Sequence, residues 1–408
     1  MAAKRAGHFE GKAEMNHSLS ERTVFHVDVN SAFLSWTAAQ RLIDDPSCVD
    51  LRAIPSAVGG DVERRHGIIL AKSIPAKRYD IRTGEPVVKA LRKCPSLVLV
   101  KPDFHTYNKF SNAFVDILRN YSPVVEQVSV DEAFVDMTGS AALYSSALDV
   151  AHAIRNEIRD SLGFTVNVGI SSNKILAKTA SDFEKPDKVH TLYREEIAEK
   201  MWPLPIGDLY GVGRSAREKL ERMGLATIGD AANADEAYLR KVLGNAFGAQ
   251  VHAYANGIDD TPVKTRADKA KGYGNSTTLC EDLTVKNAGR ILPPTLLALS
   301  DSVATRMRRD RVRAFTIAVT LKTSEFVTHS KQTKLDNATN DTDEIYHTAR
   351  RLFDALWKSG EDIRLVGVSA GNLTEEEYRQ ASLFDDESDE KKERRERLAA
   401  VTDSIRNK

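Results

Sequence analysis

The chain has 408 residues, 41% of them hydrophobic, which is enough for ordinary cores and for several modules. Lys and Arg total 58, as do Asp and Glu, so net charge does not mark a nucleic-acid binder and any such partner has to be read from local clustering. Three widely spaced cysteines, Cys48, Cys94 and Cys280, argue against a disulfide framework or a zinc site, and no apolar stretch approaches membrane-spanning length.

Residues 1–22 are polar, carry Lys4, Arg5 and Lys12 without a hydrophobic signal core, and are expected to be a disordered extension of a cytoplasmic protein. Residues 23–30 alternate as a strand, with Phe25, Val27 and Val29 on one face and His26 and Asp28 on the other; a helix is predicted from Ala32. Residues 57–85 interrupt this pattern and concentrate Arg64, Arg65, Lys72, Lys77, Arg78 and Arg82. That basic density makes sense beside an acidic metal site if a triphosphate lies between them. A helix over residues 104–119 follows, with Phe110, Phe114, Ile117 and Leu118 in helical register.

In residues 127–136 two short apolar runs bracket Asp131 and Glu132. Neighbouring strand residues point to opposite faces, so a two-residue hairpin tip is the expected way to project both carboxylates past one end of a sheet. With Asp28 they make three carboxylates on neighbouring strands, a donor set suited to Mg²⁺. Two such ions can clamp the attacking and leaving oxygens of a phosphoryl transfer. Taken singly, the same acids also fit a solvated turn and a strand end.

A second helix is predicted at residues 148–162 and a third strand at 165–170; Lys174 and Lys178 beyond it fit either a solvated helix face or a ligand contact. Gly211-Val212-Gly213 lies between helix-like segments, where glycine either ends a helix or lets backbone N–H groups approach a phosphate. After a composition shift at 257–262, a basic linker leads into strand, helix, strand, strand, helix, strand, the order of a split βαβ sandwich. Arg306, Arg308, Arg309, Arg311 and Arg313 stand there against Asp310 alone, a cluster that fits phosphate binding or a solvated helix end. The tail holds Gln380-Ala381-Ser382-Leu383-Phe384 and then a run of acids.

The stretches Asp28-Val29-Asn30-Ser31-Ala32-Phe33, Ser129-Val130-Asp131-Glu132-Ala133-Phe134 and Val168-Gly169-Ile170-Ser171-Ser172-Asn173-Lys174 are followed by Ser181-Asp182-Phe183-Glu184-Lys185-Pro186. In content and order they resemble the motifs of the Y-family DNA polymerases, most closely the DinB branch, over about residues 23–384. The resemblance implies an α+β, multidomain right hand. Its parts would be a palm at 23–56 and 86–200, small fingers at 57–85, a helical helix-hairpin-helix thumb at 201–262, a βαββαβ little finger at 263–374 and a tail at 375–408.

It also implies a template-directed, error-prone polymerase for translesion synthesis, acting on primer-template DNA and deoxynucleoside triphosphates as a monomer. Asp28 and Asp131 would bridge two Mg²⁺ ions, with the Val29 carbonyl on the nucleotide side and Glu132 on the primer side. Phe33 would be a steric gate against the ribose 2′-hydroxyl, unless it is plain core packing, and Lys185 would contact the triphosphate. The family's tyrosine and arginine contacts in the fingers align with Ile74 and Lys77, so a lysine replaces a bidentate fork there, which bears on nucleotide affinity. DNA phosphates would meet Gly211, Gly213, Ser276, Thr277, Arg308 and Arg311. Gln380, Leu383 and Phe384 resemble a bacterial sliding-clamp motif, or an apolar anchor on the chain's own domain. Two other readings are a UmuC-like subunit that needs a partner and a catalytically inactive clamp-bound adaptor; the intact acid triad weighs against the second.

Overall fold

A computed structural model of the chain describes residues 22–60, 67–140, 143–266, 268–357 and 360–375, with positions 401 and 405. The extension before Arg22 and the tail motif with Gln380, Leu383 and Phe384 lie outside the described residues. Of the described residues, 22–60 and 68–266 belong to one compact unit and 268–375 to a second.

The first unit begins with β1 (Val24–Val29) and α1 (Ala32–Asp44). A small sheet follows, built from β2 (Ser56–Gly59), β3 (Ile69–Lys72) and, after α2 (Ile74–Lys77) and α3 (Val87–Lys93), β4 (Val98–Val100). The chain then runs through α4 (Phe104–Tyr121), β5 (Val125–Gln127), β6 (Glu132–Asp136), α5 (Ala147–Leu162), β7 (Val166–Ser171), α6 (Lys174–Ser181) and β8 (Val189–Thr191). The main sheet has the order β5-β6-β1-β7-β8, so β1 is central, antiparallel to both β6 and β7.

The alternation in β1 sorts the two faces of this sheet. Phe25, Val27 and Val29 pack with Phe110 and Phe114 of α4 and Ile154 of α5, and Trp36 and Phe164 are fully buried in the same cluster. Each large side chain so enclosed contributes about 1.5–3 kcal/mol relative to exposure. The His26 and Asp28 face takes α6 instead. Gly169 of β7, the cross-strand partner of His26, makes that approach possible: a Cβ there would lie 2.0 Å from the Ala177 carbonyl oxygen and 2.4 Å from the Ser181 nitrogen. Asn173 caps α6 by accepting from the Leu176 N–H at 2.9 Å.

Beyond β8 lie α7 (Arg214–Arg222), α8 (Ile228–Asn233), α9 (Glu236–Leu243) and α10 (Asn245–Ala255). Their core is continuous with that of the preceding elements. Leu220, Ile228, Leu239 and Val251 share one cluster with Ile175 and Leu176 of α6 and with Leu192 and Ile197, so these helices are rooted in the element that carries the lysines.

The second unit holds β9 (Gly272–Leu283), α11 (Ala288–Arg309), β10 (Arg313–Thr323), β11 (Thr328–Thr339), α12 (Thr342–Leu356) and β12 (Ile363–Thr374), in the expected order. The sheet order is β11-β10-β12-β9, all antiparallel, with Ile317, Val319, Val366 and Val368 buried beneath Leu296, Val303, Ile345 and Phe353 of the two helices. This unit starts later than the expected residue 263. Val263 is buried with Val24, Phe134 and Ala177 of the first unit, and the Lys264 N–H donates to Glu126 at 2.7 Å.

Candidate active site and nucleic-acid interface

The site is built where β1 and β6 run side by side, with Asp28 and Glu132 as direct cross-strand partners. Asp131 stands one residue before β6, and its carbonyl accepts from the Val29 N–H at 3.0 Å, which ties the three acid-bearing positions together through main chain. The expected two-residue hairpin tip is not formed. The connection spans residues 128–131, because the N–H groups of Val128 and Ser129 both fold back onto the Glu132 carbonyl, at 3.0 and 3.3 Å. Within that loop the Ser129 hydroxyl donates to Asp131 at 2.6 Å, and the Ser111 hydroxyl of α4 holds the Val130 carbonyl at 2.6 Å.

Each strand acid faces a lysine. Lys185 Nζ lies 2.7 Å from Asp28 Oδ1 and 2.9 Å from Asp182; Lys178 Nζ lies 3.0 Å from Glu132 Oε2. Burial pushes the Asp28 carboxyl up to about 6, against the pull of Lys185. Glu132 goes the other way, drawn down to about 2 by His26 and by Lys178. His26 is itself fully buried, and burial lowers its pKa. Its Nδ1 meets the Ser181 hydroxyl at 2.7 Å, and its Nε2 faces Glu132 at 3.6 Å, a long contact. Lys174 is not part of this set: both oxygens of Glu126 hold it at 2.8 Å, and it lies over the Phe134 ring.

Among the described residues, no three His, Cys, Asp or Glu side chains form a ready-made metal cage. The donor set nevertheless fits hard divalent cations: carboxylates from Asp28, Asp131 and Glu132 beside the Val29 main chain, with Asp28 desolvated enough to demand a counter-charge. The lysines now supply that charge. Lys185 is about a third exposed.

Phe33 sits on α1 just past the acid strand, half-buried, its ring stacked on Tyr107 at 4.7 Å and edge-on to Phe104 at 6.3 Å. It is therefore both backed by the core and open on one side, a geometry that the two sequence readings treated as alternatives. The stacking partner Tyr107 carries no local sequence signal for this role beyond its place in a helical pattern. Ile74 and Lys77 open and close α2, both exposed, with the Ser73 hydroxyl capping the turn.

Gly211 has a φ of +88° and open space around its Cβ position, and Gly213 precedes α7 with equally open surroundings. Neither glycine is required by packing on its own unit, which leaves the turn free for approach by another backbone.

In the second unit one face of the sheet is covered by helices and the other is bare. Its four rungs read Gly272-Gly371-Thr316-Lys334, Gly274-Ser369-Ala318-Gln332, Ser276-Gly367-Thr320-Ser330 and Thr278-Leu365-Lys322-Thr328. No acid occurs among these residues, and a shallow depression runs between Gly274, Ala318, Gln332 and Ser369. Ser276 lies on this face. Thr277 does not: strand alternation turns it to the helix-covered side, opposite Val366. Arg308 is also redirected, donating to the Asn340 carbonyl at 3.1 Å and to Thr342 and Thr305 at 3.3 and 3.1 Å, so it braces the end of α11. Arg311 is exposed, at a φ of +55° in the turn after α11. Thr316, Thr320, Lys322 and Lys334 escaped the sequence reading because only strand register puts them beside Ser276.

Family comparisons agree with this architecture. Residues 27–182 match the impB/mucB/samB family, residues 270–383 its C-terminal domain, and residues 194–225 its HHH motif. A DNA polymerase IV of Clostridium acetobutylicum is 42% identical over 387 residues, 95% of each chain. A DNA polymerase IV 1 of Bacillus subtilis is 36% identical over 376 residues, 91% of this chain and 87% of its own. Among solved structures, a Y-family DNA polymerase chimera superposes with a TM-score of 0.73 at 22% identity, covering 86% of this chain and 98% of its own, and so supports the fold. The chain belongs to the impB/mucB/samB family, as a Y-family polymerase of the DinB type.

Proposed function

We propose that this translesion DNA polymerase carries out error-prone, template-directed synthesis through Asp28, Asp131 and Glu132. The primer 3′-hydroxyl attacks the α-phosphate of the incoming deoxynucleotide, the new P–O bond replaces the bond to the β-phosphate oxygen, and pyrophosphate leaves. The observation that carries this reading is the pairing of Asp28 with Glu132 across β1 and β6, each facing a lysine of the α6 region. Asp28, Asp131, Glu132 and the Val29 carbonyl would hold two Mg²⁺ ions, which when bound lower the hydroxyl pKa and neutralise developing oxyanion charge.

The remaining steps belong to the chain's own groups. Lys185 exchanges Asp28 for a nucleotide phosphate, and Lys77 adds a point charge from the small sheet. Phe33, held flat by Tyr107, closes the space a 2′-hydroxyl would need. The Gly211–Gly213 turn, Ser276, Arg311 and the bare rungs of the second sheet grip DNA through its phosphates, which carry no base information. This reading assigns a palm to 23–56 and 86–200, fingers to 57–85, a thumb to 201–262 and a little finger to the second unit, from 268. Gln380, Leu383 and Phe384 recruit a bacterial sliding clamp, and the polymerase works as a cytoplasmic monomer; no helix among the described residues is long and apolar enough to cross a membrane.

Primer extension by the purified chain alone tests this. Incorporation of single deoxynucleotides without any added protein, abolished by EDTA and restored by Mg²⁺, is expected. Clamp should add processivity to the wild type and none to a Leu383→Ala, Phe384→Ala variant. Failure of the lone chain to extend a primer would favour the partner-dependent reading.

A further inference from the structure

Under the loop that carries Lys185 lies a pair of buried amides with no part in the chemistry so far. Asn167 is fully buried in β7, flanked by Val166 and Val168, and is the cross-strand partner of Asp28. Its Nδ2 donates to the carbonyls of Ser181 and Glu184, at 3.1 and 2.6 Å. Its Oδ1 accepts from Asn30 Nδ2 at 3.1 Å and from the Lys188 N–H at 3.3 Å. Asn30, also buried, uses its own Oδ1 to accept from the Asp187 N–H and the Thr165 hydroxyl, both at 2.9 Å.

Two amides thus take hold of four main-chain groups on either side of Lys185, two carbonyls before it and two N–H groups after it. The loop at 182–188 is otherwise largely exposed and has little apolar burial of its own to fix it. Only a side chain with two donors and two acceptors satisfies every bond at position 167. An aspartate would offer no donor to either carbonyl and would bring a buried charge; a leucine of similar size would leave all of them unmet. A buried amide with every donor and acceptor engaged, as at Asn167, is held rigidly, and that rigidity is inherited by the lysine above it.

We infer that Asn30 and Asn167 are positioning residues that fix the main chain of the Lys185 loop and thereby set nucleotide affinity. This rests on the reading of Lys185 as a triphosphate contact. The pair touches neither metal ligand side chains nor the reacting atoms; it acts through Lys185.

A double-mutant cycle on single-turnover incorporation separates the two claims. Lys185→Ala is expected to weaken deoxynucleotide affinity. Asn167→Ser should weaken it about tenfold, the scale of one buried hydrogen bond, while the maximal rate changes much less. Combined with Lys185→Ala, Asn167→Ser should add nothing further, because the residue it positions is already gone. Asn30→Ser, which leaves the bonds to Ser181 and Glu184 intact, is the gentler variant and should shift affinity in the same direction by less. Effects of Asn167→Ser and Lys185→Ala that multiply would overturn the inference, since the amide would then act on something else. So would a normal affinity in both asparagine variants when Lys185→Ala is impaired, which leaves the lysine's own role standing. An unimpaired Lys185→Ala would overturn the lysine reading and the inference with it.

Discussion

The acid end of the first sheet and the bare face of the second use polar residues in opposite ways. Around Asp28 and Glu132 each charge has an opposite partner within about hydrogen-bond reach, half shielded from water, with a buried histidine and two buried amides beneath. Across the rungs of the second sheet there are glycines, hydroxyls and lysines, exposed to various degrees, and no carboxylate. A reaction centre must hold charge at fixed points in a low-dielectric setting, where each pairing is strong. A grip that has to pass along any DNA sequence needs small, sequence-tolerant contacts to phosphates instead. If the first region is the proposed reaction centre and the second the proposed DNA grip, damage should lower rate in the first and salt-dependent affinity in the second.

The largest effect is expected from Asp131→Asn, which keeps size and removes a charge proposed to be shared by two cations. Single-turnover incorporation should fall by about a hundredfold or more, while duplex affinity measured on the same preparation persists. Near-normal incorporation would remove Asp131 from the chemistry and with it half of the contrast. Next comes Phe33→Ala. Taking away a clash should raise the ribonucleotide to deoxynucleotide ratio in kcat/KM by about tenfold or more, worth about 1.4 kcal/mol of discrimination; an unchanged ratio would return Phe33 to the aromatic stack with Tyr107. The smallest effect belongs to Lys322→Ala combined with Lys334→Ala. If both lysines meet phosphates, the slope of log affinity against log salt should become shallower by about two, with the rate at saturating DNA unaltered. A slope that did not move would show that the bare face is merely solvated.

Much of this was legible locally. Alternation in residues 24–29 places His26 beside Asp28 and away from Phe25, and that is what the sheet does. The six elements of the second unit follow from periodicity and turn residues. What escaped was set by register and by distant neighbours. Thr277 and Ser276 are adjacent hydroxyls, and only the pairing with Gly367 and Val366 tells their faces apart. Arg308 reads as one more cation in a run until Asn340 and Thr342, over thirty residues on, are folded against it. The hairpin at Asp131 is longer than two residues because Glu132 receives two main-chain donors. Asn167 did leave a trace, an amide between two valines in a strand, but its four partners lie on three different segments.

The glycine at 169 has a consequence for how this family member can drift in sequence. With a hydrogen in place of a side chain on that Cα, α6 rests directly on the backbone of β7, so the separation between helix and sheet is set there by the radii of main-chain atoms. Even a methyl group at this position would meet the Ala177 carbonyl and the Ser181 nitrogen and would push α6, and Lys178 with it, away from β7. Position 169 is thus a mechanical stop for α6, set beneath the carboxylates proposed to carry the chemistry.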